Sequence, residues 1–107
     1  MKGEQMTYEY SAAKIEKLFN HELEHIDRLY NLIEPDADSV SRTNWIIKME
    51  TCVDEFTAAA RTVIEIYIEL SNGDCEDWRD LHKLVWELRE KLDTRVEHLK
   101  EIIDRPF

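Results

Sequence analysis

Between Asn44 and Leu70 the chain runs without a glycine or a proline, and apolar residues recur at Trp45, Met49, Cys52, Phe56, Ala59, Val63, Ile66 and Leu70. Steps of four and three put all eight on one side of an α-helix, whereas a strand would scatter them over both faces. A second line, Ile46, Val53, Ala60, Ile64 and Tyr67, runs beside the first. Together they widen the apolar arc to nearly half the cylinder, which a helix can bury only against neighbours on two sides. This stretch is expected to be the central helix of a bundle.

The flanking segments supply the neighbours. Tyr8, Ala12, Ile15, Phe19, Leu23, Ile26, Tyr30 and Ile33 follow Thr7, a good N-cap, at helical spacing, and Leu18, Leu29 and Leu32 broaden that face. Pro35 disfavours helical geometry at Glu34, which sets the expected end of the first helix. Asp38 or Ser39 can cap the second helix, and Asn72-Gly73 can stop it. Asp74 is the expected cap of the third, which carries Trp78, Leu81, Val85, Leu88, Leu92, Val96, Leu99 and Ile103 and closes at Arg105-Pro106. The prediction is one all-α domain over 1–107, with 1–6 frayed and helices over about 7–34, 39–71 and 74–104. Links of only a few residues imply an antiparallel three-helix bundle.

Composition excludes several functions. The chain of 107 residues has Lys and Arg 14 against Asp and Glu 24, a net charge of −10 at neutral pH. The acid is spread evenly, so direct attraction to nucleic acid or to an anionic membrane is not expected. No apolar run approaches the roughly 20 residues of a membrane span, and no secretory leader is visible, so the expected location is cytoplasmic. Two glycines leave no phosphate-cradling loop. Two cysteines are too few for a disulfide framework. Cys52 reads as a small buried hydrophobe with no histidine at a suggestive spacing, and Cys75 sits blunted among Asp74, Glu76 and Asp77. Glu50 with Asp54, and Glu65 with Glu69, read as a solvated face.

One motif carries possible chemistry. His21-Glu22-Leu23-Glu24-His25 matches H-E-x-x-H, in which two histidines one turn apart bind zinc and the glutamate activates water. It also contains the Glu-x-x-His pair that di-iron bundles take from each of two helices. The context is poor for both, because no strand is available to hold a peptide substrate and no second Glu-x-x-His exists. His82 and His98 instead follow Arg79 and Arg95 by three residues. No metal or other cofactor is therefore expected, and a metal-binding bundle or metal-dependent hydrolase using His21, Glu22 and His25 stands as the alternative.

On a helical wheel Glu22 falls inside the apolar arc of the first helix, His25 on its margin, and His21 and Glu24 outside it. A core-facing carboxylate is costly unless paired. Arg95 is the matching oddity of the third helix, among Leu84, Leu88, Leu99 and Ile102, and a buried Glu22–Arg95 pair is expected.

Apolar residues in outward positions complete the reading. Trp86 lies off the main stripe of the third helix, beside His82, Arg89, Glu90 and Asp93. Ile47 faces away from the stripe of the second helix, and Ile68 lies at its edge. Tryptophan and arginine dominate protein-binding hot spots. The expected function is that of a non-enzymatic interaction protein, of adaptor, small-chaperone or inhibitor type, which forms a homodimer through Trp86, His82, Arg89, Ile47 and Ile68. A further alternative is an acidic mimic of nucleic acid that blocks a DNA- or RNA-handling enzyme.

Overall fold

The structure, a computed structural model, describes residues 7–71 and 76–104. It contains α1 (Tyr8–Asn31), α2 (Ser39–Leu70) and α3 (Trp78–Ile103). Helix accounts for 87% of the described residues and no strand occurs among them, so apolar surface can be buried only helix against helix. Each helix packs on both of the others to give an all-α three-helix bundle. The molecule measures 58 × 26 × 17 Å, and α2, about 48 Å long at 1.5 Å per residue, runs most of its length. Among the described residues no helix is long and apolar enough to cross a membrane.

The helix ends follow from local chemistry. Thr7 caps α1, its hydroxyl accepting from the Tyr10 amide at 3.2 Å. Helix α1 stops at Asn31 rather than at Glu34. Pro35 has no N–H to offer the Asn31 carbonyl, and the chain tightens first, with Leu32 donating to Leu29 at 3.1 Å and Ile33 to Tyr30 at 3.2 Å. Asp38 caps α2 by accepting from the Ser41 amide at 2.7 Å, and the same bond lowers its carboxyl below the usual range. At α3 the expected start shifts. The helix begins at Trp78 behind Asp77, whose carboxylate makes no capping bond and instead accepts from the Tyr67 hydroxyl at 2.6 Å. A tertiary partner from the end of α2 has taken the group that would otherwise satisfy the helix start. The expected fraying of 1–6, the stop at Asn72-Gly73, the cap at Asp74, the turn position of Cys75 and the stop at Arg105-Pro106 lie outside the described residues.

The core follows the apolar periodicity most simply in α3, where Leu81, Val85, Leu88, Leu92, Val96, Leu99 and Ile103 are all buried. In α2 the burial is centred differently from the leading stripe. Ile46, Val53, Ala60, Ile64 and Tyr67 are buried together with Met49, Cys52, Phe56 and Val63, whereas Ile66 and Leu70 are exposed. A strict four-three repeat averages 3.5 residues per turn and drifts about 20° per heptad around a straight helix, so the stripe walks off the core toward its C-terminal end. Helix α1 buries Ser11, Ile15, Glu22, Ile26 and Leu29. Two of those five are polar, and the buried face of α1 is consequently the least hydrocarbon-like of the three.

Candidate functional site

Among the described residues, two departures from the rule of apolar inside and polar outside gather several functional side chains. The first is on the seam between α1 and α2. Phe19 of α1 packs edge-on against Phe56 of α2, with ring centroids 6.3 Å apart. One turn further along each helix lie Glu22 and Cys52, and then His25. The Cys52 Sγ is 3.5 Å from His25 Nδ1, and His25 Nδ1 is 4.0 Å from Glu22 Oε2. One potential ligand atom from each of the three lies within 4.8 Å of the others. Glu22 and Cys52 are buried and His25 is half-buried at the margin.

The electrostatics of this cluster are unbalanced. Glu22 Oε2 is shut off from solvent and has no hydrogen-bond partner. Burial pushes the Cys52 thiol up to about 12; the Glu22 carboxylate adds to the shift by its negative charge and by a hydrogen bond that favours the protonated thiol, and Glu55 adds its charge. A cleft of about 190 Å³, lined by His25, Leu29, Lys48, Thr51, Cys52 and Glu55, lies beside the cluster. The Lys48 ammonium sits 4.4 Å from the centroid of the Trp45 ring.

This arrangement corrects the reading of Cys52 as a cysteine without a histidine, because the histidine comes from another helix, 27 residues earlier. Of the H-E-x-x-H residues, Glu22 and His25 are brought together, while His21 and Glu24 are exposed on the outer side of α1. The expected Glu22–Arg95 pair is also corrected. Arg95 Nε donates to Asp27 Oδ1 at 2.9 Å, with both side chains about two-fifths exposed, and no ion pair joins Arg95 to Glu22. Asp27 lets the guanidinium keep part of its hydration at the rim, whereas reaching Glu22 would strip it.

The second place is the flank where α2 meets α3. Trp86 is the largest exposed apolar side chain, 61% accessible, and the Arg89 guanidinium lies over its ring at 5.6 Å. Arg89 also approaches Asp54 at 3.9 Å and Asp93 at 3.8 Å. Thr57, Arg61, His82, Val85, Trp86 and Arg89 line a shallow recess. His82 itself stacks edge-on against Trp78 at 5.5 Å, which ties its ring to the start of α3.

Ile47, Asp54, Arg61 and Ile68 recur every seven residues, which keeps them on one side of α2 at intervals of about 10 Å, with a drift of about 60° from first to last. Asp54 and Arg61 adjoin the Trp86 surface. Ile47, half exposed, and Ile68, partly buried against the core, lie about one heptad beyond on either side. The expected surface residues thus share a flank but do not form one tight cluster.

A third departure from the pattern is a polar side chain inside α1. Ser11 is wholly buried and its hydroxyl has no partner. Its place among Ile15, Leu18 and Glu22 at helical spacing was the available signal. No family model matches the chain, and neither a characterised protein nor a solved structure is significantly similar to it.

Proposed function

We propose that the chain is a non-enzymatic interaction protein that acts through the α2–α3 flank, and that its first partner is a second copy of itself. The observation that carries the reading is the exposed Trp86 indole with Arg89 laid over it. An indole removes roughly 150–250 Å² from water when covered, enough to anchor a contact.

A two-fold contact uses the same patch on both subunits, so the patch must complement itself. This flank carries cations, Arg61 and Arg89, next to anions, Asp54 and Asp93, around an apolar centre. Turned on its own copy, it can set arginine against aspartate on each side of paired tryptophans. The cations also moderate, at this one place, the repulsion between two chains of net charge −10.

Light scattering across a concentration series, on the unmodified protein and on Trp86→Glu, tests the proposal. The expected result is a dimer whose association weakens by about 2 kcal/mol or more in the mutant, with helix content by circular dichroism unchanged. A monomer in both cases overturns self-association. A mutant that loses its helix would instead make Trp86 a structural residue.

A further inference from the structure

We propose that Glu22, His25 and Cys52 form a binding site for one transition-metal ion of the zinc class, held across the seam between α1 and α2. This goes beyond the interaction surface and does not depend on it, since the two places use different residues on opposite flanks of α2.

Three observations converge on the site. The first is donor chemistry. A thiolate, an imidazole nitrogen and a carboxylate oxygen are the three ligand types that zinc accepts, and the mixture suits neither calcium nor magnesium, which take oxygen alone. The second is geometry. Tetrahedral zinc with bonds of about 2.0–2.3 Å sets its ligand atoms about 3.4–3.6 Å apart. The Cys52–His25 separation of 3.5 Å already has that length. The His25–Glu22 separation of 4.0 Å, and a limit of 4.8 Å on the third edge, leave a gap that a side-chain rotation of Glu22 closes.

The third observation is the orphaned oxygen. Glu22 Oε2 is buried against the cluster with nothing to accept from, a condition that folded proteins avoid unless a water or an ion supplies the partner. A divalent cation satisfies it.

The site takes Glu22 and His25 from successive turns of one helix and Cys52 from another, so it exists only when α1 and α2 are packed. Three protein ligands leave a fourth position, and the cleft lined by Lys48, Thr51 and Glu55 gives it access to water. His21, although part of the H-E-x-x-H motif, is on the exposed side of α1 and is not a ligand. The site therefore differs from the one the motif by itself suggests.

The test uses the whole chain, prepared without a metal-affinity step and stripped with chelator, then titrated with zinc and separately with cobalt(II). The expected result is one saturable equivalent of either ion. Cobalt should give the intense visible bands of a four-coordinate centre and a near-ultraviolet sulfur-to-cobalt charge-transfer band. Cys52→Ser should abolish that band, and both Cys52→Ser and His25→Ala should weaken zinc binding by about tenfold or more. His21→Ala should change it by less than about twofold.

Cys52→Ala keeps a small apolar group in the core, and its circular dichroism shows whether lost binding is merely lost folding. Should every variant unfold, the charge-transfer band of the unmodified protein still decides whether sulfur is a ligand. Absence of a saturable equivalent overturns the proposal, as does a cobalt spectrum without charge transfer. Binding that survives Cys52→Ala but fails in His21→Ala overturns it too, and would place the ion on the exposed face of α1.

Discussion

The α1–α2 seam and the α2–α3 flank depart from the same pattern in opposite directions. On the seam, Glu22, His25 and Cys52 bring polar, ligand-bearing groups inward, and one carboxylate oxygen ends without a partner. On the flank, Trp86 takes an indole outward and Arg89 covers part of it. A buried polar atom is costly because the water it has lost is not replaced. An exposed indole costs the folded monomer little, since it is hydrated before and after folding. The two sites therefore answer to different measurements. The seam should register in the stability of a single chain, and the flank in how chains associate.

The largest expected effect probes the packing that encloses the seam. Phe56→Ala removes a fully buried ring that meets Phe19 edge-on one turn from Cys52. It should cost about 3–5 kcal/mol in chemical denaturation. A loss under about 1 kcal/mol would mean that the seam is loosely packed and that the ligand atoms are not held in place.

Glu22→Met should act in the other direction. In the presence of chelator, replacing a buried carboxylate that has one oxygen without a hydrogen bond by an apolar chain of similar size should stabilise the protein by about 1–3 kcal/mol. A destabilised variant would show that Glu22 has a compensating partner in the metal-free fold and would weaken the contrast between the two regions.

Alkaline pH offers a finer test of the seam. The Cys52 thiol ordinarily titrates near 9.0 and is pushed up to about 12 in the fold, so above pH 9 the unfolded chain sheds this proton before the native one does. The contribution is fully present below pH 9.0 and is lost as pH rises from there toward 12. Metal-free protein should therefore lose stability more steeply over that interval than Cys52→Ala does. Parallel slopes in the two proteins would mean that the thiol is not desolvated.

The smallest effect belongs to the flank. Trp86→Ser, measured at concentrations too low for association, should change unfolding free energy by no more than about 0.5 kcal/mol. A loss of several times that amount would make the indole part of the core and leave the flank without its anchor.

Much of the helical architecture was legible because it depends on local periodicity. The stripe from Leu81 to Ile103 is buried residue for residue, and Thr7 and Asp38 cap helices where their hydroxyl and carboxylate chemistry places them. Positions sensitive to a second element were less legible. The Asp77 carboxylate bonds the Tyr67 hydroxyl rather than the start of α3, and the buried face of α2 settled between two apolar lines that the sequence weights nearly alike. Glu22 could be placed on the inner face of α1 from its spacing alone, but its surroundings could not.

By itself, then, the sequence determined that the chain forms three helices and roughly where each runs, where most of each apolar face lies, and that Glu22 and Trp86 sit against the pattern. Only the tertiary structure decided that Arg95 turns to Asp27 and that Cys52 meets His25 across 27 residues of chain. The physical reason is register. Helical spacing fixes the angle of a side chain about its own axis, whereas the level at which two helices meet depends on the summed fit of every side chain between them. One turn of sliding, about 5.4 Å, is enough to exchange one partner for another.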